Sequence, residues 1–195
     1  MSRRVHPIEA ESYRRLRALV DLARLPPLSR AVTERVVHAS ADVGYADDLV
    51  LDEDDLARGL AALRGGAPVI VDARMVAAGI TGLEARCALD DPAARALAAE
   101  RGLTRSAAGV LVAAEAAGPG AVYAVGNAPT ALVALVEAGV APALVIGLPV
   151  GFVGAVESKQ ALRDSGLPAV SNRGPKGGSA VAAAALNALL YQEGP

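Results

Sequence analysis

The distribution of apolar and polar positions is most regular in the last third of the chain, where one construction occurs three times. An apolar run of strand length leads into a glycine-bearing polar loop, and the loop opens a longer apolar stretch of helical length. The three stretches are AVYAVGNAPTALVALVEAG (121–139), PALVIGLPVGFVGAVESKQAL (142–162) and PAVSNRGPKGGSAVAAAALNALL (168–190). A parallel sheet gathers such loops at the carboxyl ends of its strands, where open α/β sheets bind ligands. The first amides of each helix lack internal partners and face the loop with the positive end of the helix dipole. Three such ends side by side suit an anionic ligand.

Upstream, the pattern predicts a helix from Ile8 to Ala23, with Glu9 and Glu11 early and arginines later, as the helix dipole prefers. Pro26 and Pro27 break it, and Ser29 is placed to cap a second helix from Arg30 to about His38. Ala41 to Leu51 reads as a polar connection. The acidic run Asp52-Glu53-Asp54-Asp55 opens a third helix, Asp54 to Leu63, which Gly65-Gly66 ends. Pro68 to Val71 is a short buried strand, and Asp72 is placed to cap a helix over Ala73 to Ala78. Residues 82–91 are ambiguous, with a strand expected around Arg86 to Leu89. Pro92 to Arg101 and Ser106 to Ala117 read as helices, the first with proline in its opening turn. Strands alternating with helices predict an α/β fold: a single domain over residues 1–195, its mostly parallel sheet covered by helices on both faces in a Rossmann-like three-layer arrangement.

Composition sharpens this reading. At 195 residues, the chain is long enough for one substantial core. It is 53% hydrophobic but only 3% aromatic, without tryptophan, so Ala, Val and Leu must build that core. The formal net charge of −2 argues against a nucleic-acid surface. A single cysteine, Cys87, excludes an internal disulfide and a thiolate zinc cluster, and fits a small buried hydrophobe. The amino terminus lacks the apolar segment of a signal peptide, and no stretch approaches the ~20 apolar residues of a membrane span. The expected setting is cytoplasmic.

Few residues carry candidate chemistry. His6 precedes Pro7 near the terminus. His38 ends an apolar helical run, Val36-Val37-His38-Ala39-Ser40, where it can serve as a dipole partner or as an acid that titrates near neutrality. No metal-ligand set accompanies it, and no GxSxG elbow marks a serine nucleophile. Gly147, Gly151 and Gly154 are spaced G-x3-G-x2-G, which departs from the dinucleotide fingerprint, and Arg173 to Ser179 lacks the order of a phosphate loop. NAD and ATP are therefore disfavoured, and no cofactor is expected. The remaining groups are hydroxyls (Thr130, Ser158, Ser179), amides (Asn127, Asn172) and cations (Arg105, Arg173, Lys176), an inventory that fits a ligand with several carboxylates. The plainer alternatives are glycines that only close tight turns, Asn127 and Thr130 as local caps, and Lys176 as a solvated cation.

Read together, VVHAS around His38, VDARMVAAGI (71–80), TRSAAG (104–109), GNAPTAL (126–132), IGLPVGFVGAVESK (146–159) and KGGSAVAAAALNAL (176–189) resemble the precorrin-8X methylmutase family, as does HPIEAESYRRLR (6–17). The likeness runs in order over most of the chain. It implies an isomerase of corrin-ring assembly that moves a methyl group from C-11 to C-12 of precorrin-8X or its cobalt form, without a redox cofactor. The family's acid–base histidine falls on His38. The implied substrate contacts are Ser12 and Tyr13, Arg105 and Ser106, Asn127 and Thr130, Gly151 and Phe152, and Lys176, Gly177, Gly178 and Ser179. Val150, Phe152 and Val153 would lie on a face of the ring while helix amides, Arg105 and Ser106 take its carboxylates. Ser12 has the plainer alternative of a solvated helix hydroxyl, and Glu157 is a candidate to orient Lys159 or a neighbouring subunit. The resemblance also implies a homodimer and hand-over of the corrinoid to neighbouring enzymes of the pathway. Two stretches depart from the family's pattern: Pro175 in the last glycine loop, and the short segment TGLEARCALDD after Ile80. The competing reading from another class is a carrier that holds the corrinoid without rearranging it, which would not need His38 to titrate.

Overall fold

In the computed structural model, which describes residues 6–192, short buried strands alternate with helices. The first part of the chain forms α1 (Pro7–Leu19), α2 (Pro27–Ser40), the one-turn α3 (Tyr45–Asp48), β1 (Leu49–Leu51) and α4 (Glu53–Arg64). β2 (Val69–Val71), α5 (Arg74–Gly79), α6 (Pro92–Arg101) and α7 (Arg105–Ala117) follow. The three repeated units supply β3 (Val122–Val125) with α8 (Pro129–Glu137), β4 (Leu144–Gly147) with α9 (Ala155–Asp164), and β5 (Ala169–Asn172) with α10 (Ser179–Leu190).

The strands form one sheet in the order β1-β5-β4-β3-β2. β2 through β5 are parallel, and β1 lies antiparallel on the β5 edge, with Leu49 opposite Asn172. Every residue of β2, β3 and β4 is buried, which explains why these segments read as unbroken apolar runs. Their side chains still alternate between two cores. Val69, Val71, Val122, Ala124, Leu144 and Ile146 pack under α2, α4, α5 and α10. Ile70, Tyr123, Val125 and Val145 pack under α7, α8 and Leu162 of α9. The result is the expected three-layer α/β arrangement.

α10 is apolar around nearly its whole circumference, Asn187 excepted, and Val181 through Leu189 are all buried. A helix of that kind belongs inside the molecule. It lies between the sheet and α2, and its run of alanines lets both approach closely.

Several boundaries differ from the sequence reading. α1 ends at Leu19 instead of Ala23 because Val20 turns extended while its N–H still bonds back to Leu16. α2 starts at Pro27, with Pro26 at the cap position, and so begins before Arg30. Ser29 lies inside it and is not its cap: the Leu28 and Ser29 amides and the Ser29 hydroxyl all donate to the Glu53 carboxylate of α4, at 2.7–2.9 Å. Burial works against that charge, but the three hydrogen bonds outweigh it and hold the Glu53 carboxyl below its ordinary range. The polar connection 41–51 contains α3 and the edge strand β1. The strand expected at Arg86 to Leu89 reduces to a single parallel bridge from Arg86 to Ile70. α5 runs from Arg74 to Gly79 with Ala73 at its cap position, and Asp72 makes no capping bond to it.

Gly59 of α4 is buried where the helix crosses β4, and a Cβ there would stand 2.5 Å from Leu144 Cδ2. Gly59→Ala gains about 1 kcal/mol of helix propensity but meets an overpacking cost of about 1–3 kcal/mol. We expect a net loss of stability in urea denaturation, with the circular dichroism of the folded state unchanged.

Candidate active site

Because β2 to β5 are parallel, the loops that follow them emerge at one end of the sheet, and buried polar groups tie these loops together. Asp72, at the end of β2, turns its carboxylate to the loop after β3 and accepts the N–H groups of Gly126, Asn127 and Ala128 at 3.0, 2.9 and 2.6 Å. Burial pushes this carboxyl up from its ordinary range, against the pull of the amide donors. Gly126 itself abuts the start of α10, where a Cβ would lie 2.8 Å from that of Ala182. The loops after β4 and β5 are joined by backbone bonds from Gly178 N to Leu148 O (2.9 Å) and from Gly151 N to Pro175 O (3.1 Å).

Lys159 fixes the last loop from beneath. Its side chain is fully buried, and Nζ donates to Asn172 Oδ1 (2.9 Å), Gly174 O (2.5 Å) and Lys176 O (2.9 Å). Three donors thus meet three acceptors. Asn172 in turn donates to Asp48 (2.7 Å), whose other oxygen takes the amides of Arg173 and Gly174. Desolvation pulls the Lys159 ammonium down to about 8, with Asp48 opposing and Arg163 adding to the fall. Glu157, the sequence candidate for orienting Lys159, is exposed and makes none of these bonds. Asn172 and Ser158 are likewise buried parts of the framework, the latter donating to Ala155 O.

The groups left on the surface of this framework are largely those singled out in the sequence. Asn127 and Thr130 are exposed, and the Thr130 hydroxyl bonds to that of Thr104, the cap of α7, at 2.8 Å. Phe152 is fully exposed at the tip of the loop after β4, with Val153 and Val150 beside it and Gly151 half-buried. Ser179 Oγ is buried at the start of α10 and finds no hydrogen-bond partner among the described residues. Lys176 is held and not merely solvated: Nζ lies 2.9 Å from Asp42 Oδ2 and 4.4 Å from the centre of the Tyr45 ring. That ammonium holds the Asp42 carboxyl below its ordinary range. Arg105 reaches Asp90 at 2.6 Å, and Ser106 is half-buried next to it in the first turn of α7.

His38 joins the same end of the molecule through the antiparallel packing of α2 on α10. Arg35 lies over the Tyr191 ring at 4.9 Å, beyond the last turn of α10, whereas Asp42, just past the end of α2, reaches Lys176 ahead of its first turn. The imidazole is held from two sides. Ser12 Oγ lies 3.0 Å from Nδ1, and the Tyr13 ring stacks on it with centroids 4.6 Å apart and planes 13° from parallel. Arg35 secures Tyr13 in turn, donating to its hydroxyl at 3.1 Å and to Glu9 at 2.8 Å. His6, the other histidine, accepts the Ile8 N–H as the cap of α1. A groove lined by Glu9, Tyr13, Arg35 and Tyr191 lies beside this column and includes neither His38 nor the glycine loops. Among the described residues, no group of three or more His, Cys, Asp or Glu side chains could hold a metal ion. No helix there is long and apolar enough to cross a membrane.

The family model described as precorrin-8X methylmutase matches residues 7–192. The chain belongs to this family. The precorrin-8X methylmutase of a Sinorhizobium species is 44% identical over 93% of this chain and 92% of its own. The cobalt-precorrin-8 methylmutase of Methanothermobacter thermautotrophicus is 43% identical over 87% of this chain and 84% of its own. Among solved structures, the precorrin-8X methyl mutase of Thermus thermophilus superposes with a TM-score of 0.86 at 40% identity, covering 94% of this chain and 93% of that one. As a methylmutase, the chain is an isomerase.

Within this family member, the sequence reading missed the residues that build the site without facing it. The sequence pattern marks Asp72 as a local cap and places Lys159 in the stretch 146–159 without its role beneath the loop, and Asp42 and Asp48 carry no local motif. A carboxylate directly after a buried strand, and a lysine at the fifth position of a helix that opens on glycine, were the available signals.

Two predictions concern this framework. A Cβ on Gly177 would stand 2.3 Å from Leu148 O and 2.6 Å from Pro149 O, so Gly177→Ala must push the loops after β4 and β5 apart. We expect corrinoid affinity to fall about tenfold or more while unfolding in urea loses only about 1–3 kcal/mol. The second follows from Lys159. The folded chain gives up its proton near pH 8, whereas the unfolded chain holds it to about 10.5. The unfolded state therefore binds more protons between these values, and stability rises with pH across the window, on the order of 1–2 kcal/mol from pH 8 to 10. Urea denaturation at both pH values should show this rise in the native chain and a flatter response in Lys159→Met.

Proposed function

We propose that the chain catalyses the rearrangement of precorrin-8X or cobalt-precorrin-8 by moving a methyl group from ring carbon C-11 to C-12, with His38 as the proton donor and acceptor. The observation that carries this reading is the fixed imidazole, with Ser12 bonded to Nδ1 at 3.0 Å and Tyr13 stacked on the ring. Ser12 occupies one ring nitrogen, which leaves Nε2 to exchange a proton with the substrate. The hydroxyl can donate to Nδ1 or accept from it, so the hydrogen bond persists whether His38 is charged or neutral. Tyr13 holds the imidazole plane, limiting the motion that would otherwise have to be frozen at the moment of transfer.

The step itself needs only a proton. Protonation of a ring nitrogen beside the reacting carbons draws electron density from the conjugated system. The methyl group then migrates within the molecule: its bond to C-11 breaks as its bond to C-12 forms. The proton returns to His38, and no electron or group leaves the substrate. The ring is wide and apolar on its faces and carries acetate and propionate arms. Phe152, Val153 and Val150 supply an exposed apolar surface for a face of such a ring. Lys176 and the amide ends of α7, α8 and α10 supply positive and hydrogen-bonding partners for the arms. Relatives at 44% and 43% identity bear the metal-free and cobalt-bearing names, and cobalt, where present, arrives as part of the substrate. The working unit we propose is a cytoplasmic homodimer that passes its corrinoid product to the next enzyme.

On this reading, His38→Ala should fold and bind the corrin with affinity within about threefold of the native chain, yet lose conversion by about a hundredfold or more. Ser12→Ala should lower kcat by about tenfold with little change in KM. Absorbance against time after mixing with precorrin-8X measures both. Near-normal turnover in His38→Ala would remove the acid role, and binding by the native chain without conversion of either form would favour the carrier.

A further inference from the structure

Three guanidinium groups converge on one carboxylate at the edge of the proposed site. Asp90, about one-third exposed, pairs through Oδ2 with Arg74 and through Oδ1 with Arg105 at 2.6 Å and Arg95 at 3.9 Å. The adjoining Asp91 is engaged elsewhere, its Oδ1 accepting the Ala93 N–H as the cap of α6. Even with Asp91 counted, the cluster remains positive in a chain whose formal net charge is −2. All three arginines are more than half exposed, so this excess charge faces solvent.

Their placement opposes local stability. Arg74 is the first residue of α5, Arg105 the first of α7, and Arg95 stands in the opening turn of α6. None of these helices has an acidic residue in its first turn, where the dipole favours one and disfavours a cation. Helices α1 and α4 show the opposite pattern, with Glu9 and with Glu53, Asp54 and Asp55 at their starts and Arg17 and Arg64 at their ends. Arg74 and Arg105 thus concentrate positive charge at two neighbouring helix starts, where the dipole adds to it. The spot adjoins the glycine loops through Thr104, which precedes Arg105 and bonds to Thr130 of α8.

We propose that Arg74 and Arg105 form a two-armed clamp for two neighbouring carboxylates of one ligand, with Asp90 as the internal anion that holds the arms in the free protein and competes with that ligand. The inference rests on the corrinoid reading above, because acetate and propionate arms along one ring edge present such a pair of carboxylates. Each arm exchanges its bond to Asp90 for one to the ligand, so binding breaks no covalent bond and moves no proton. Arg95 remains near Asp90 as its partner when the clamp is filled. The short 81–91 segment supplies Asp90 and so helps build this edge of the site.

The test is titration of the native chain and three variants with cobyrinic acid, a corrin bearing free carboxylates, and with the same corrin fully esterified. Arg74→Gln and Arg105→Gln should each weaken binding of the free acid by about fivefold to tenfold, leave the ester unaffected, and reduce the salt dependence of acid binding. Asp90→Asn should tighten acid binding by about threefold or more, a gain that misfolding cannot produce. Unchanged acid affinity in Arg74→Gln, equal losses for acid and ester, or no tightening in Asp90→Asn would overturn the clamp and leave the corrinoid reading standing. A native chain that binds neither corrin would overturn both.

Discussion

The burial of α10 is the constraint on which the rest of this structure depends. A helix with Val181 through Leu189 all buried must be covered on every side, and its alanines set how close the covering elements come. The sheet takes one side, and α2 takes much of the rest. This packing puts the start of α10 against Gly126 and the end of α2 near the last glycine loop. Ser179 and His38 therefore belong to one end of the molecule because a single apolar helix is enclosed between their supports. Any enlargement of an α10 alanine would be felt first at these two places, since tightly packed interiors transmit strain.

Charge is divided between two tasks around that helix. Asp72 and Lys159 are buried, spend their hydrogen bonds on backbone amides and carbonyls, and fix the shape of the loops. Lys176, Arg105 and Arg74 are accessible and paired to single carboxylates whose hold a ligand's own carboxylates can replace. The first group supplies rigidity, and the second an adjustable electrostatic surface. A site for a large, flexible-armed anion needs both, because preorganised loops reduce the entropy lost on binding while exchangeable pairs keep the free protein soluble and ordered.

Much of this was legible in the chain. Strands such as VYAV and LVIG are continuous apolar runs because they are buried on both faces, and that pattern marks a parallel sheet without further information. The loops after them carried enough glycine and hydroxyl groups to mark a candidate site. What the sequence concealed were contacts between distant residues. Glu53 caps α2 from another helix, Asp72 serves a loop beginning at Gly126, and β1 is a three-residue strand whose partner lies near the far end of the chain. None of these leaves a periodic trace, because the satisfying group and the satisfied one share no local segment. His38 was visible as a titratable group, but its support by Ser12 and Tyr13 depends on how α1 packs against α2.

The pairing of β1 with β5 also bears on the order in which the molecule assembles. The parallel units from β2 to β5 are joined by successive crossovers and can add one after another as the chain emerges. β1 and α2 cannot take their final places until β5 and α10 exist, because these are the elements they pack against. Closing so long a loop is slow relative to local helix formation. During synthesis, the histidine-bearing helix therefore waits for the carboxyl-terminal helix before it can dock. The proposed acid joins its loops in the last stage of folding, so an incompletely folded chain has no assembled site with which to hold or alter a reactive ring.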